Sequence, residues 1–158
     1  MQQDDLPIVN LSYRTIMEAF NAYVTEEKPA LESPKDVAET MLPVLSRCEQ
    51  EEFWVLHLNT KNRLVAAEQV TKGLADRSQV HAREVFREAI RRNVSRLILV
   101  HGHPSGDPTP STQDISCTKS LIQAGKIIGI EVLDHVVTGR RTSSRHSPWV
   151  SLKEENLM

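Results

Sequence analysis

Cysteine is scarce in this chain: two residues in 158, Cys48 and Cys117, with no CxxC pair. A disulfide framework and a thiolate zinc cage are therefore excluded. Glycine and proline are also few, at 6 and 8, and neither repeats nor low-complexity tracts occur. No apolar run approaches the ~18 residues of a membrane-crossing helix. The start, MQQDDLPIV, is acidic and polar and does not resemble a secretory signal. A cytoplasmic protein with no membrane partner is expected. Neither sign of charge dominates, since 19 Lys and Arg face 21 Asp and Glu, for a net charge of -2. A chain-wide electrostatic footprint for nucleic acid is thus missing. What remains is 39% hydrophobic and 25% charged, the profile of a globular chain of about one domain.

Along the chain, Ser12 offers an N-cap for a helix reaching about residue 27, broken by EEKPALESP. Ser33-Pro34 signals a second helix to about Cys48, with Pro43 as a kink or early end. The organisation expected is an N-terminal arm and helix over 1–32 and a core domain over 33–158. FWVLHLN (53–59) and RLVAAEQVTKG (63–73) read as a hairpin around Asn59–Asn62. HAREVFREAIRRN is helical, with Val85, Phe86, Ala89 and Ile90 inward. RLILV (96–100) has the continuous apolar run of a central strand. A helix from about Ser111 to Ala124, a strand over 128–138 and a short strand at WVSL complete the pattern. Irregular alternation of strands and helices favours an α/β or α+β sandwich.

The chemistry concentrates in LVHGHPSGDPTPSTQD, residues 99–114. His101 and His103, two apart at the exit of a strand, project both imidazoles to one side. Such a pair can reach one zinc ion. Asp114, returned by the Pro-rich loop in the first turn of the next helix, can supply a third ligand. Two His and a carboxylate leave a fourth position open, as catalytic zinc sites require. Ser111 can hydrogen-bond a reacting oxygen. Ser-x-x-Asp opening a helix is also a capping box, which accounts for Ser111 and Asp114 but not for the two histidines. Other zinc classes lack their parts: there is no HExxH helix and no HxE with PCxxC, and no GxSxG elbow is present.

His101-Gly102-His103 with Ser111 and Asp114 resembles the JAMM signature of MPN-domain metalloproteases. HGHPSGDPTPS (101–111) and GIEVLDHVVTG (129–139) are most similar to the RadC-like branch, over roughly residues 33–152. Two departures stand out. Gly102 occupies a position where the family often has Asn, and residues 1–32 are too short for the helix-hairpin-helix module of longer members. The resemblance implies a cytidine-deaminase-like mixed sheet flanked by helices, with a short N-terminal helical appendage. It also implies a zinc metallopeptidase or isopeptidase, acting on a peptide or protein substrate through metal-bound water. Such enzymes use a Glu base from an earlier strand. Keeping Leu58-Asn59 in register with the family places it at Glu51. Strand alternation sends Glu52 to the opposite face, and Glu68 is a third candidate. The alternative is a non-catalytic MPN scaffold in a DNA-repair-associated or protein-interaction role.

Other residues carry blander expectations. His135 fits a buried, hydrogen-bonded strand histidine better than a ligand. Ser105 and Asp107 shape the loop, and Cys117 is a small core residue. Arg83, Arg87 and Arg91 alternate with Glu84 and Glu88, as on a solvated helix face.

Overall fold

The computed structural model describes Thr15, Glu18 and residues 29–73, 80–141 and 146–158. The helix expected from Ser12 lies outside the described residues apart from the first two of these. Helix α1 spans Pro34–Leu45, strand β1 Glu52–Leu58, β2 Leu64–Lys72, helix α2 Ala82–Arg91 and strand β3 Arg96–Gly102. Helix α3 then spans Thr112–Ile128, followed by strands β4 Glu131–Thr138 and β5 Trp149–Ser151. The strands form one mixed sheet in the order β2-β1-β3-β4-β5. β1 runs antiparallel to β2 and β3, β3 runs parallel to β4, and β5 returns antiparallel. This is the expected α+β architecture, with α1, α2 and α3 flanking the sheet among the described residues.

β1 is buried along its whole length, so its pleat feeds two cores. Trp54, Leu56 and Leu58 face Val37, Met41 and Leu45 of α1, joined by Ile98, Val100 and Val136. Phe53 and Val55 face Val85, Phe86 and Ala89 of α2 and Leu121 of α3, with Leu97 and Leu99. Each such aliphatic or Phe side chain is worth about 1.5–3 kcal/mol when fully buried. The lower boundary of this core includes Leu31, which is buried against the α1 side, while Ala30 bridges to Arg63.

α1 begins where the sequence indicates. Ser33 Oγ accepts from the Asp36 N–H at 3.3 Å, and Asp36 Oδ2 accepts from the Ser33 N–H at 2.8 Å. Pro34 starts the helix, which ends at Leu45, two residues past Pro43 and short of Cys48. Ser33→Ala should cost about 1 kcal/mol, measurable as a lower urea midpoint. The Ser33 hydrogen bond holds the Asp36 carboxyl below its usual range. The stabilisation is therefore present above the unfolded carboxyl pKa and lost as pH falls through the lowered folded one. An unchanged midpoint at neutral pH would refute the cap.

α3 outruns its expected end at Ala124, and β4 starts at Glu131 rather than near 128. Gly125 does not stop the helix. A Cβ there would lie 2.4 Å from the Ile130 carbonyl oxygen, so glycine is required by close packing. The stop is Gly129, with φ +75° in the left-handed region. On α2, Glu88 pairs with Arg91 at 3.0 Å and with Arg92 at 3.5 Å, and Arg83 with Glu84 at 3.5 Å. The arginine series is thus a solvated face as expected, paired within the helix except at Arg87, which reaches Glu68 of β2 at 3.9 Å. Among the described residues, no helix is long and apolar enough to cross a membrane.

Candidate metal centre

The register of the sheet assembles the site. β1 pairs antiparallel with β3 so that Phe53 opposes His101 and Glu52 opposes Gly102. One residue further, Glu51 falls opposite His103. Directly opposed residues share a face, so Glu51, Phe53, His101 and His103 all turn toward α3. Glu52 turns the other way: it is buried, accepts from Trp54 Nε1 at 3.0 Å and lies 3.7 Å from Lys72 Nζ. It is not a solvated charge, and β1 is not an edge strand. Glu68 is removed from the site as well. Its carboxylate meets the buried His57 Nε2 at 3.3 Å across the hairpin and Arg87 of α2 at 3.9 Å.

The loop from His103 to Ser111 is held against the end of β4. The His103 N–H donates to the Thr138 carbonyl at 2.9 Å, and the Arg140 N–H to the Gly106 carbonyl at 2.7 Å. Gly139 permits this approach, since a Cβ there would stand 2.3 Å from the Gly106 oxygen. Asp107 Oδ1 accepts from the Thr109 N–H and hydroxyl at 2.9 and 2.6 Å, and Ser105 Oγ accepts from the Asp107 N–H at 3.3 Å. These two residues shape the loop, as their types suggest. The loop delivers Ser111 as N-cap of α3 and Asp114 as its third residue.

There the side chains converge. The His101 and His103 rings meet edge-on with centroids 4.3 Å apart. Glu51 Oε2 is in short contact with His101 Nε2. Asp114 Oδ1 lies 3.2 Å from His101 Nδ1, and Oδ2 lies 3.5 Å from His103 Nε2. His103 Nδ1 donates to the Asp107 carbonyl at 2.6 Å, so Nε2 is the ring nitrogen turned toward Asp114. Glu51, His101 and His103 offer donor atoms all within 4.8 Å of one another. Asp114 also completes the capping box: Ser111 N and Oγ both donate to Oδ2 at 2.8 Å, and Ser111 Oγ accepts from the Asp114 N–H at 3.1 Å. The capping box read from Ser-x-x-Asp is thus formed, and the same carboxylate lies beside both histidines.

Charge follows geometry. Burial works against the Asp114 carboxylate, but hydrogen bonds from His101 and His103 outweigh it and hold the group far below the usual range. Burial likewise disfavours the His103 imidazolium, yet its bonds to Asp114 and to the Asp107 carbonyl, with the Glu51 charge, raise its pKa on balance. Cys48, packed over Gly102, has its thiol pKa pushed up by burial and then by the Glu52 charge. A Cβ on Gly102 would stand 3.1 Å from Leu45 Cδ2 and 3.2 Å from Cys48 Sγ, so the departure at this position sits against the end of α1. Thr118 and Phe53, which sequence reasoning did not single out, border the site. Thr118 was visible as the residue one turn after Asp114, but its partner was not.

An α+β domain with a His-x-His at the end of an interior strand and an acidic helix start facing it is of the JAB or MPN type. Residues 31–157 match the RadC-like JAB domain, and the chain belongs to that family. A UPF0758 protein of Desulforudis audaxviator is 46% identical over 132 residues, 84% of this chain and 55% of that protein. Similar relatives occur in Desulfitobacterium hafniense, 43% identical over 83% of this chain and 55% of the relative. Another, in Bacillus cereus, is 45% identical over 82% of this chain and 55% of the relative. The chain thus spans about half the length of the relatives it matches.

Proposed function

We propose that the chain is a zinc-dependent hydrolase of peptide or isopeptide bonds, acting in the cytoplasm on a peptide or protein. His101, His103 and Asp114 hold the metal, and Glu51 and Ser111 act on the substrate. The observation that carries this reading is the cluster of donor atoms from Glu51, His101 and His103 within 4.8 Å of one another, with Asp114 on the other ring nitrogen of His101 at 3.2 Å and 3.5 Å from His103 Nε2. Neutral nitrogens and charged oxygens are the donors that zinc takes, and the buried Asp114 charge asks for a cation. When bound, zinc supplies Lewis acidity toward the scissile carbonyl. Glu51 accepts a proton from the attacking water as its oxygen bonds to the carbonyl carbon. It then passes that proton to the nitrogen as the C–N bond breaks. Ser111, exposed at the N-cap, turns its hydroxyl proton from Asp114 to the developing oxyanion.

Elemental analysis of protein purified without added metal should find one zinc per chain. The His101→Ala/His103→Ala double variant should hold none, and full retention by that variant would overturn the ligand assignment. The core does not need the ion to fold, so chelation should lower the melting temperature only modestly. Zinc must displace the proton that the surrounding acceptors favour on His103. Zinc affinity should accordingly weaken across a pH range that runs from above the raised His103 pKa to below it. In the chelated protein the sign reverses. The stability contributed by the His103 proton is present at lower pH and lost as pH rises through that raised value. Chelator competition at both ends of the range checks the first, and melting of the chelated chain checks the second.

A further inference from the structure

Behind the candidate centre lies a second histidine layer to which the proposed chemistry gives no task. His135 of β4 is fully buried, beside the equally buried Thr118 of α3. An imidazole loses its water there, a cost that a leucine of similar size would not incur. Its Nδ1 lies 2.6 Å from Thr118 Oγ1. The single hydroxyl proton of Thr118 is committed elsewhere, to the Asp114 carbonyl oxygen at 2.6 Å. Thr118 Oγ1 therefore accepts from His135, and Nδ1 carries a hydrogen. The result is a directed chain, from His135 N–H to Thr118 O–H to the main chain of Asp114.

Asp114 is thereby fixed at two points. Its carboxylate is aimed by Ser111 from the outside of the helix, and its carbonyl is tied from below to the sheet. Phe53 closes the same layer, its ring edge-on to His135 at 5.6 Å and tilted to His101 at 6.4 Å. β4 runs parallel to β3 with Leu99 beside His135 and His101 beside Val137. The strand that carries His101 and the helix turn that carries Asp114 are thus bolted together by a residue of the next strand.

We propose that His135 and Thr118 form a positioning pair that holds Asp114 in its metal-ligating place, an inference that rests on Asp114 being a zinc ligand. The pair touches neither metal nor substrate. It acts by fixing the first turn of α3 against β4, so its loss loosens the third ligand and not the histidines. The test is the zinc dissociation constant of the full chain, measured by competition with a chromogenic chelator, with thermal melting of each variant alongside. His135→Leu and Thr118→Val should each weaken zinc by ~10–100-fold, the usual cost of losing a partner behind a ligand. His135→Asn keeps a donor near the Nδ1 position and Thr118→Ser keeps the hydroxyl, so both should stay near wild type. The Leu/Val double variant should be no weaker than the worse single one, because either change breaks the same chain. Should His135→Leu fail to fold, Thr118→Val against Thr118→Ser carries the same comparison. Leu and Val variants that melt lower yet bind zinc like wild type would make the pair merely structural and overturn the proposal. A wild-type chain that takes up no zinc would overturn the metal reading itself, and the positioning role with it.

Discussion

Glu51→Gln is expected to keep its zinc and to lose hydrolysis by ~10²–10⁴-fold, the contribution of a positioned general base. The substitution preserves size but replaces the basic carboxylate with an amide that does not take the proton. Its carboxylate reaches the site because β1 and β3 are antiparallel, with the start of one beside the end of the other. Glu51 also falls within the donor group that includes His101 and His103. A ligand and a base are distinguished by what the amide variant loses. If Glu51→Gln loses zinc as well as activity, Glu51 is a ligand and the base lies elsewhere. Glu52→Gln is the control. Its carboxylate serves Trp54 Nε1 on the opposite face, so the change should lower stability and leave turnover near wild type. A dead Glu52 variant beside an active Glu51 variant would reverse the two roles.

How much of this was legible in the sequence depends on the range of the interaction. Ser33-Pro34 and Ser111-x-x-Asp114 announce helix starts because capping is local, and both boxes form. The continuous apolar RLILV is an interior strand because both faces of the sheet are covered by helices. Gly125 misleads, since glycine usually marks a helix end, whereas here it admits the Ile130 carbonyl. His57 shows no partner within its own segment. Its partner Glu68 lies across the hairpin, near the facing strand position. The placement of His101, His103 and Asp114 together follows from a strand, a Pro-stiffened loop and a capped helix in succession. The side of the sheet on which Glu51 falls needed only a register between β1 and β3. The tie from His135 to Thr118 joins β4 to α3, and no spacing within either segment reveals it.

Asp114→Ala is the variant with the widest expected damage, because one carboxylate serves two structures. It lies beside His101 and His103, and as the proposed third ligand its loss should remove zinc and hydrolysis together. As third residue of the α3 capping box it accepts from Ser111 N and Oγ, and its loss leaves those donors to find water. The stability cost should be about 1–3 kcal/mol, the penalty for breaking a partly buried polar network. Its sign with pH is fixed by the lowered pKa of Asp114. The carboxylate stabilises the fold above the unfolded carboxyl pKa, and that stabilisation is lost as pH falls through the lowered folded value. The gap between wild type and Asp114→Ala should therefore narrow toward strongly acidic pH when both are followed by denaturant midpoint. Ser111→Ala separates the two functions of this turn. It should retain zinc, cost about 1 kcal/mol through the lost cap, and slow hydrolysis by ~10²-fold through the lost oxyanion donor. A Ser111→Ala enzyme with the stability loss alone would reduce Ser111 to a cap. An Asp114→Ala chain that still carries one zinc would pass the third ligand position to Glu51, the remaining carboxylate within reach of both histidines.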